Sequence, residues 1–336
     1  MLQEKFSGHH TTIKMKYTGI TLITGANGFI GFELLKELSK DSNLKIRVTD
    51  IRDDKIKLFQ KPNIEYIRSD IRDEKELSSL VNGVDRIFHV AGICNLTTSY
   101  EKLKSINVDA VDKLTKIAVQ NSVKAYIHLS SSSVYGTYQG KPFKETDDCN
   151  PMDAYGKSKH VGEQIVSEKI KKGLNAIILR PCTVYGPGCN DGAGKVFSRP
   201  GKIAGIPGDG KMKLANVRVE DVAGSAIYLS EQEQFFGNIY NISDDSNPSL
   251  EEALDLASKM FGSKINKLHI PLSLLKVIAR LESPLAKLQG KIPDLEYEAI
   301  KYLYNDYYMD NQKLKSTGYQ LRYPNFVSSM ESMKLI

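Results

Sequence analysis

From Ile20 onward the chain alternates short apolar runs with longer stretches whose apolar residues recur at helical spacing. No other feature constrains the fold as strongly. ITLIT (20–24), KIRVTD (45–50), NIEYIRSD (63–70), VDRIFHVA (84–91), AYIHLSS (125–131) and AIILRP (176–181) read as strands. The stretches from Phe29 to Ser39, 100–121 and Ala154 to Lys172 read as helices. Strands regularly separated by helices predict right-handed βαβ units, hence an α/β, doubly wound parallel sheet.

After Pro181 the texture changes. Residues 186–215 are rich in Gly, Pro and Lys with little periodicity, which predicts a mobile loop region. A helix is expected near Glu220 and a strand at NIYNIS (238–243); from Ser249 onward the chain reads as mostly helical. PLSLLKVIARLESPLAKL (271–288) is amphipathic and reads as an ordinary core-facing helix, although such a helix can also line an apolar pocket or touch a membrane surface. With 336 residues, the chain exceeds what one compact core usually needs. The expected division is a nucleotide-binding domain at 19–181 plus 216–244, and a smaller, mostly helical substrate lobe at 182–215 plus 245–336. Residues 1–18 lack the apolar core of a signal peptide and read as a disordered extension, with Met15 as an alternative start.

TGANGFIG sits between the first strand and the first helix and places Gly25, Gly28 and Gly31 at GxxGxxG spacing, one residue longer than the usual GxGxxG. Gly25 permits a tight turn, Gly28 lets the backbone approach a pyrophosphate, and Gly31 lets helix and strand pack closely. Phosphates would then rest at the helix N-terminus, on Asn27, Gly28, Phe29, Ile30 and Gly31. This is the pattern of a Rossmann fold. Asp50 ends the second strand, 19 residues beyond Gly31, where a carboxylate can bind ribose hydroxyls and repel a 2′-phosphate. NAD is therefore expected over NADP. Ile51 and Arg52 adjoin the same site, and Arg52 can weaken the preference. Asp70 and Ile71 are expected to flank the adenine. Val90, Ala91 and Gly92 form a small-residue turn against which a cofactor can lie.

Tyr155 and Lys159 stand one helical turn apart, on one face. A phenol with a pKa of about 10 is too weakly acidic to serve as a base at neutral pH, and a nearby ammonium, helped by the positive nicotinamide ring, is expected to stabilise the phenolate and lower it. SSSSVYG (130–136) brings hydroxyls to the carboxyl edge of the preceding strand, 24 residues before Tyr155 for Ser131. Ser131 is the choice for holding a substrate oxygen, with Ser132 as its competitor because side-chain facing reverses at each step along a strand.

TGANGFIG, Asp50, HVAG, SSSSVYG and YGKSK resemble, in order and spacing, the extended short-chain dehydrogenase/reductase family. RPCTVYGPG (180–188) and VRVEDVA (217–223) match its later landmarks, so the resemblance covers about 20–330. It implies an enzyme that binds NAD(P) and uses a Ser–Tyr–Lys group, here Ser131, Tyr155 and Lys159. Asn107 would be the asparagine that steadies the catalytic helix through water. Pro181 falls within the cofactor region. A homodimer built on the 100–121 and 154–172 helices is also implied.

Two branches of that family compete. The preferred one resembles 3β-hydroxysteroid dehydrogenases and dihydroflavonol reductases, which interconvert a secondary alcohol and a ketone. The alternative is a nucleotide-sugar epimerase or dehydratase that passes through a transient keto-sugar. Lys195, Arg199, Lys202, Lys211 and Lys213 could grip a diphosphate and favour sugars. Leu214, Ala215 and Asn216 after the GDG turn, together with KIPDLEYEAIKYL (291–303) and YYMDNQKLKSTGY (307–319), favour the first branch. A non-catalytic dinucleotide sensor would be expected to have a disrupted triad, and this one is intact.

Composition narrows the partners. Hydrophobic content of 41% and charged content of 26% are ordinary for a globular chain. The net charge of +6 reads as spread along the chain, whereas a nucleic-acid binder gathers its cations in a stripe or tail. A small-molecule substrate is expected instead. Cys94, Cys149, Cys182 and Cys189 show no metal-ligand spacing and read as reduced thiols in a cytoplasmic protein; no metal is expected. No run approaches the roughly 18 apolar residues of a membrane span.

Overall fold

In a computed structural model of the chain, residues 19–189, 194–198, 200–288 and 295–333 are described. The expected extension at 1–18, including Met15, lies outside them. The chain begins with β1 (Ile20–Thr24), α1 (Phe29–Leu38), β2 (Lys45–Asp50), β3 (Ile64–Arg68), α2 (Glu74–Val81) and β4 (Val84–His89). It continues through α3 (Tyr100–Lys104), α4 (Ala110–Gln120), β5 (Ala125–Leu129), α5 (Ala154–Lys171) and β6 (Ala176–Pro181). Beyond these come β7 (Thr183–Tyr185), α6 (Lys195–Ser198), β8 (Ile206–Pro207), β9 (Asn216–Arg218), α7 (Val219–Ser230) and β10 (Ile239–Ile242). The C-terminal region holds α8 (Leu250–Phe261), β11 (His269–Ile270), α9 (Leu272–Leu288), α10 (Gln312–Ser316) and α11 (Phe326–Met333).

Seven parallel strands form the main sheet in the order β10-β6-β5-β4-β1-β2-β3. Its strands read as nearly continuous apolar runs because helices cover both faces. Ile23, Phe88 and Ile127 point to one face and meet Leu34 of α1 and Val222 of α7. Leu22, Ile87 and Ile178 point to the other and meet Leu77, Leu114 and Val166 of α2, α4 and α5. β1 lies between β2 and β4, so the chain leaves it in opposite directions on its two sides. The carboxyl ends of β1 and β4 thus flank a topological switch point, where open α/β sheets bind ligands.

The expected strands are present, but β3, β4 and β5 end at Arg68, His89 and Leu129, before the boundaries expected from their apolar runs. β1 turns away at Gly25, so residues beyond His89 lose their strand neighbour on that side. The expected 100–121 helix is interrupted by a π-helical turn at Ser105–Asp109. In the C-terminal region, Ser249 and Glu252 form a capping box on α8, and Phe326 and Met330 of α11 close a cluster with Tyr185 and Phe197.

Candidate active site

At the end of β1, Gly25 adopts φ +72°, and a Cβ there would stand 2.7 Å from the backbone of Ala91. A Cβ on Gly31 would lie 2.1 Å from the Gly25 carbonyl oxygen, so α1 packs on the turn only because position 31 has no side chain. Gly28 caps α1 with no side-chain hydrogen bond, and a Cβ there would meet only the Gly25 oxygen at 3.2 Å. The first amides of α1, at Phe29 and Ile30, have no intrahelical acceptor, which leaves them available to an anion. The turn therefore fits a dinucleotide pyrophosphate.

Asp50 ends β2 and accepts the amides of Asn27 (Oδ2, 3.1 Å) and Arg52 (Oδ1, 3.1 Å). Ile51 is 57% exposed beside it. Two side chains near this turn have partners within the chain. The Asn27 side chain turns inward: its Oδ1 accepts from Lys55 N at 2.9 Å and its Nδ2 donates to Asp54 at 2.6 Å. It braces the loop after β2 because an amide group buried this deeply must find partners. Asp70 is held by the Arg72 guanidinium, which forks onto its carboxylate and keeps its pKa below the usual carboxylate value. Asp70 is thus a paired carboxylate, beside the buried Ile71. Val90 is half-buried, and the Ala91 amide donates to Thr24 Oγ1 at 3.3 Å. A Cβ on Gly92 would stand 3.9 Å from Lys159 Nζ, so the turn after β4 and the first turns of α5 meet there. Pro181 is buried at the end of β6, paired with Ile242 in the sheet.

α5 is capped by Asp153, which accepts from Gly156 N at 2.8 Å and from the Tyr302 hydroxyl at 2.5 Å. Its first turns present Tyr155 and Lys159, 8% and 7% exposed. The Ser131 hydroxyl faces the Tyr155 phenol and also accepts from Ser133 N at 3.2 Å. Ser132 belongs instead to the following 3-10 turn, and its carbonyl accepts from Tyr307. Lys159 Nζ donates to the Leu129 carbonyl at 2.5 Å. Asn107 lies in the π-helical turn; its side chain holds Ile93 through both N (2.9 Å) and O (3.1 Å) and donates to Ser158 on α5 at 3.0 Å. Through these bonds it touches neither Tyr155 nor Lys159 and ties the Ile93 loop to α5.

The chain's own residues act against a phenolate at Tyr155. Burial pushes Tyr155 well above its ordinary pKa, with Cys94 adding to the rise and Ser131 opposing it. Burial also brings Lys159 down to about 8. In the protein alone the phenol therefore keeps its proton. Two cleft residues escaped the sequence reading. Cys94, although an exposed residue, turns its thiol inward onto Tyr155, where burial raises its pKa, and Glu296 accepts from Leu96 N at 2.7 Å, joining the C-terminal region to the Cys94 loop. Neither has a motif around it. Cys94 is recognisable only by its position in the loop beyond His89. Burial pushes the Glu296 carboxyl up, while the Leu96 amide and the charge of Lys195 oppose the rise. Of the other expected diphosphate-gripping cations, Lys213 is paired with Glu252 and Lys211 is exposed. Arg199 and the Lys202 side chain lie outside the described residues.

A profile of the NAD dependent epimerase/dehydratase family matches residues 21–243. The UDP-N-acetyl-alpha-D-glucosaminuronate decarboxylase of Bacillus cytotoxicus is 30% identical over 268 residues, covering 74% of this chain and 83% of the relative. The 3 beta-hydroxysteroid dehydrogenase/Delta 5→4-isomerase of Monkeypox virus is 32% identical over 190 residues, 52% of this chain and 54% of that protein. The solved structure of UDP-glucuronic acid 4-epimerase from Bacillus cereus, in complex with UDP-glucuronic acid and NAD, superposes with a TM-score of 0.75 at 22% identity, covering 94% of this chain and 98% of the epimerase.

Proposed function

The chain belongs to the NAD-dependent epimerase/dehydratase family, and from that premise we propose that it oxidises a ring hydroxyl of a nucleotide-linked sugar through a transient ketone. The observation that carries the reading is the enclosed Ser131–Tyr155–Lys159 group at the switch-point end of the sheet. The sugar branch is favoured over the one preferred from sequence alone because the decarboxylase relative spans 74% of this chain, against 52% for the steroid dehydrogenase. Net alcohol–ketone interconversion is the second reading, supported by that dehydrogenase relative.

In the proposed site the amides at the start of α1 hold the pyrophosphate and Asp50 the adenosine ribose, which favours NAD over NADP. NAD, when bound, supplies the hydride acceptor and the positive charge that the phenol needs before it can release its proton. Ser131 holds the substrate oxygen, Tyr155 exchanges a proton with it, and Lys159 stabilises the phenolate. Asn107 keeps the Ile93–Cys94 loop and α5 in register. Residues 19–181 plus 216–244 serve the cofactor, and 182–215 plus 245–336 the substrate. The free thiols fit a reducing cytoplasm, and the exposed sides of α4 and α5 suit a homodimer.

The reading is tested by incubating the enzyme with NAD and a panel of UDP- and dTDP-sugars, following sugar products by NMR and nicotinamide absorbance together. An altered sugar without accumulating NADH is expected. NADH formed in step with product would establish the net dehydrogenase instead. Tyr155→Phe should lower turnover about a hundredfold or more while leaving NAD binding nearly intact; loss of NAD binding would make Tyr155 structural.

A further inference from the structure

α9 is apolar on two opposite sides. Leu275 and Ala279 are buried against Ile300, as a core-facing helix requires. Leu274, Val277, Ile278 and Leu281 are 49%, 51%, 41% and 67% exposed. Their i, i+3, i+4, i+7 spacing places them in one stripe on the side away from the core. An isolated exposed leucine needs no explanation; a helix stripe of four large apolar side chains does.

Lys276 and Arg280, one turn apart, edge this stripe and lie over the rings of Tyr304 and Tyr297, at 4.5 Å and 5.0 Å from the centroids. The charge is local as well. Between Ser263 and Lys291 the sequence has six Lys or Arg residues and a single acid, Glu282. This stretch carries most of the net +6 that reads as dispersed along the whole chain. A second copy of the chain could cover the stripe, but a two-fold contact would bring like-charged edges together. An anionic surface is matched by both features. Apolar side chains enter the acyl boundary while Lys and Arg remain among the headgroups. Among the described residues no helix is long and apolar enough to cross a membrane, so α9 would lie in the interface plane.

We propose that α9 is a docking helix that seats the enzyme on an anionic lipid surface. The proposal goes beyond the catalytic reading and does not depend on it. The full chain is sedimented with phosphatidylcholine vesicles and with mixed phosphatidylcholine/phosphatidylglycerol vesicles, at low and high salt. Binding to the anionic vesicles, weakened by salt and by omission of phosphatidylglycerol, is expected. Leu274→Glu/Ile278→Glu should reduce the bound fraction about tenfold or more with the melting temperature preserved. Lys276→Glu/Arg280→Glu should abolish the preference for anionic vesicles. Failure of the unaltered chain to bind anionic vesicles, or equal binding by the Leu274→Glu/Ile278→Glu variant, would overturn the proposal. So would light scattering in which that variant loses an assembly that the unaltered chain forms without lipid, since a second copy would then cover the stripe.

Discussion

Asp50 spends one lone pair of each carboxylate oxygen on a backbone amide, that of Asn27 or Arg52. Further acceptor capacity remains on both oxygens, enough to receive two ribose hydroxyls. Hydrogen bonds to a charged group contribute about 1.5–3 kcal/mol, so Asp50→Ala should weaken NAD about tenfold or more and narrow its advantage over NADP. Titrating both cofactors by fluorescence measures this, and an unchanged ratio would show that Asp50 does not reach the ribose. At this scale residue type and position were legible. Asp50, the three glycines and the Tyr155–Lys159 pair occupy the places their spacing implies. Environment was not legible. Asn27 belongs to the same motif, yet its side chain faces inward to amides nearly thirty residues away, which no local pattern reveals. Tyr155 likewise has a raised pKa because of what encloses it rather than the lysine one turn on.

α5 is the element on which the proposed site depends, and three devices fix it. Asp153 caps its start, Asn107 ties Ser158 to the Ile93 loop, and Glu163 receives a two-pronged ion pair from Arg180 of β6 at 2.9 Å and 2.7 Å. Both partners are buried, and Arg180 also stacks over Tyr135. Removing one member of such a pair strands the other charge. Glu163→Ala should therefore cost about 3 kcal/mol, read by denaturant unfolding; a cost near zero would mean that water reaches Arg180. The extent of α5 was legible from its periodicity. The π-helical turn that carries Asn107 was not, because an extra residue in a helix shifts the pattern by less than one turn and leaves the apolar spacing readable as continuous helix.

Across the whole molecule, the sheet itself sets a pH response. His89 and His128 are paired residues on β4 and β5, stacked at 5.7 Å on the face covered by α5. His89 bonds Thr24 through Nδ1, while neither nitrogen of His128 has a partner among the described residues. Burial, and then the charge of Lys159, pulls His89 down to about 3 and His128 well below its ordinary value. Both are therefore neutral when folded and take up protons on unfolding below about pH 6.5. Their stabilising contribution is complete above that pH and is lost as pH falls, at about 1.4 kcal/mol per pH unit for each. Asp244 pulls the other way between its ordinary value and about 7, because burial raises it and its folded form keeps a proton. The clean measurement is a difference. His128→Leu should gain on the unaltered chain as pH drops from 7 to 5 in thermal melts, whereas a constant offset would show that His128 titrates alike in the folded and unfolded chain. The strand–helix alternation, the glycine turn and the order of the chemical residues were already written in the amino-acid order. These follow from local spacing and backbone freedom, which operate within a few residues. Packing of distant segments set which side chains spend their polar atoms internally, that burial holds the proton on the phenol, and that α9 turns a second apolar side to solvent. Those outcomes depend on burial and charge contributed by residues far apart in the chain, and helical periodicity reports that a face is apolar without saying what covers it.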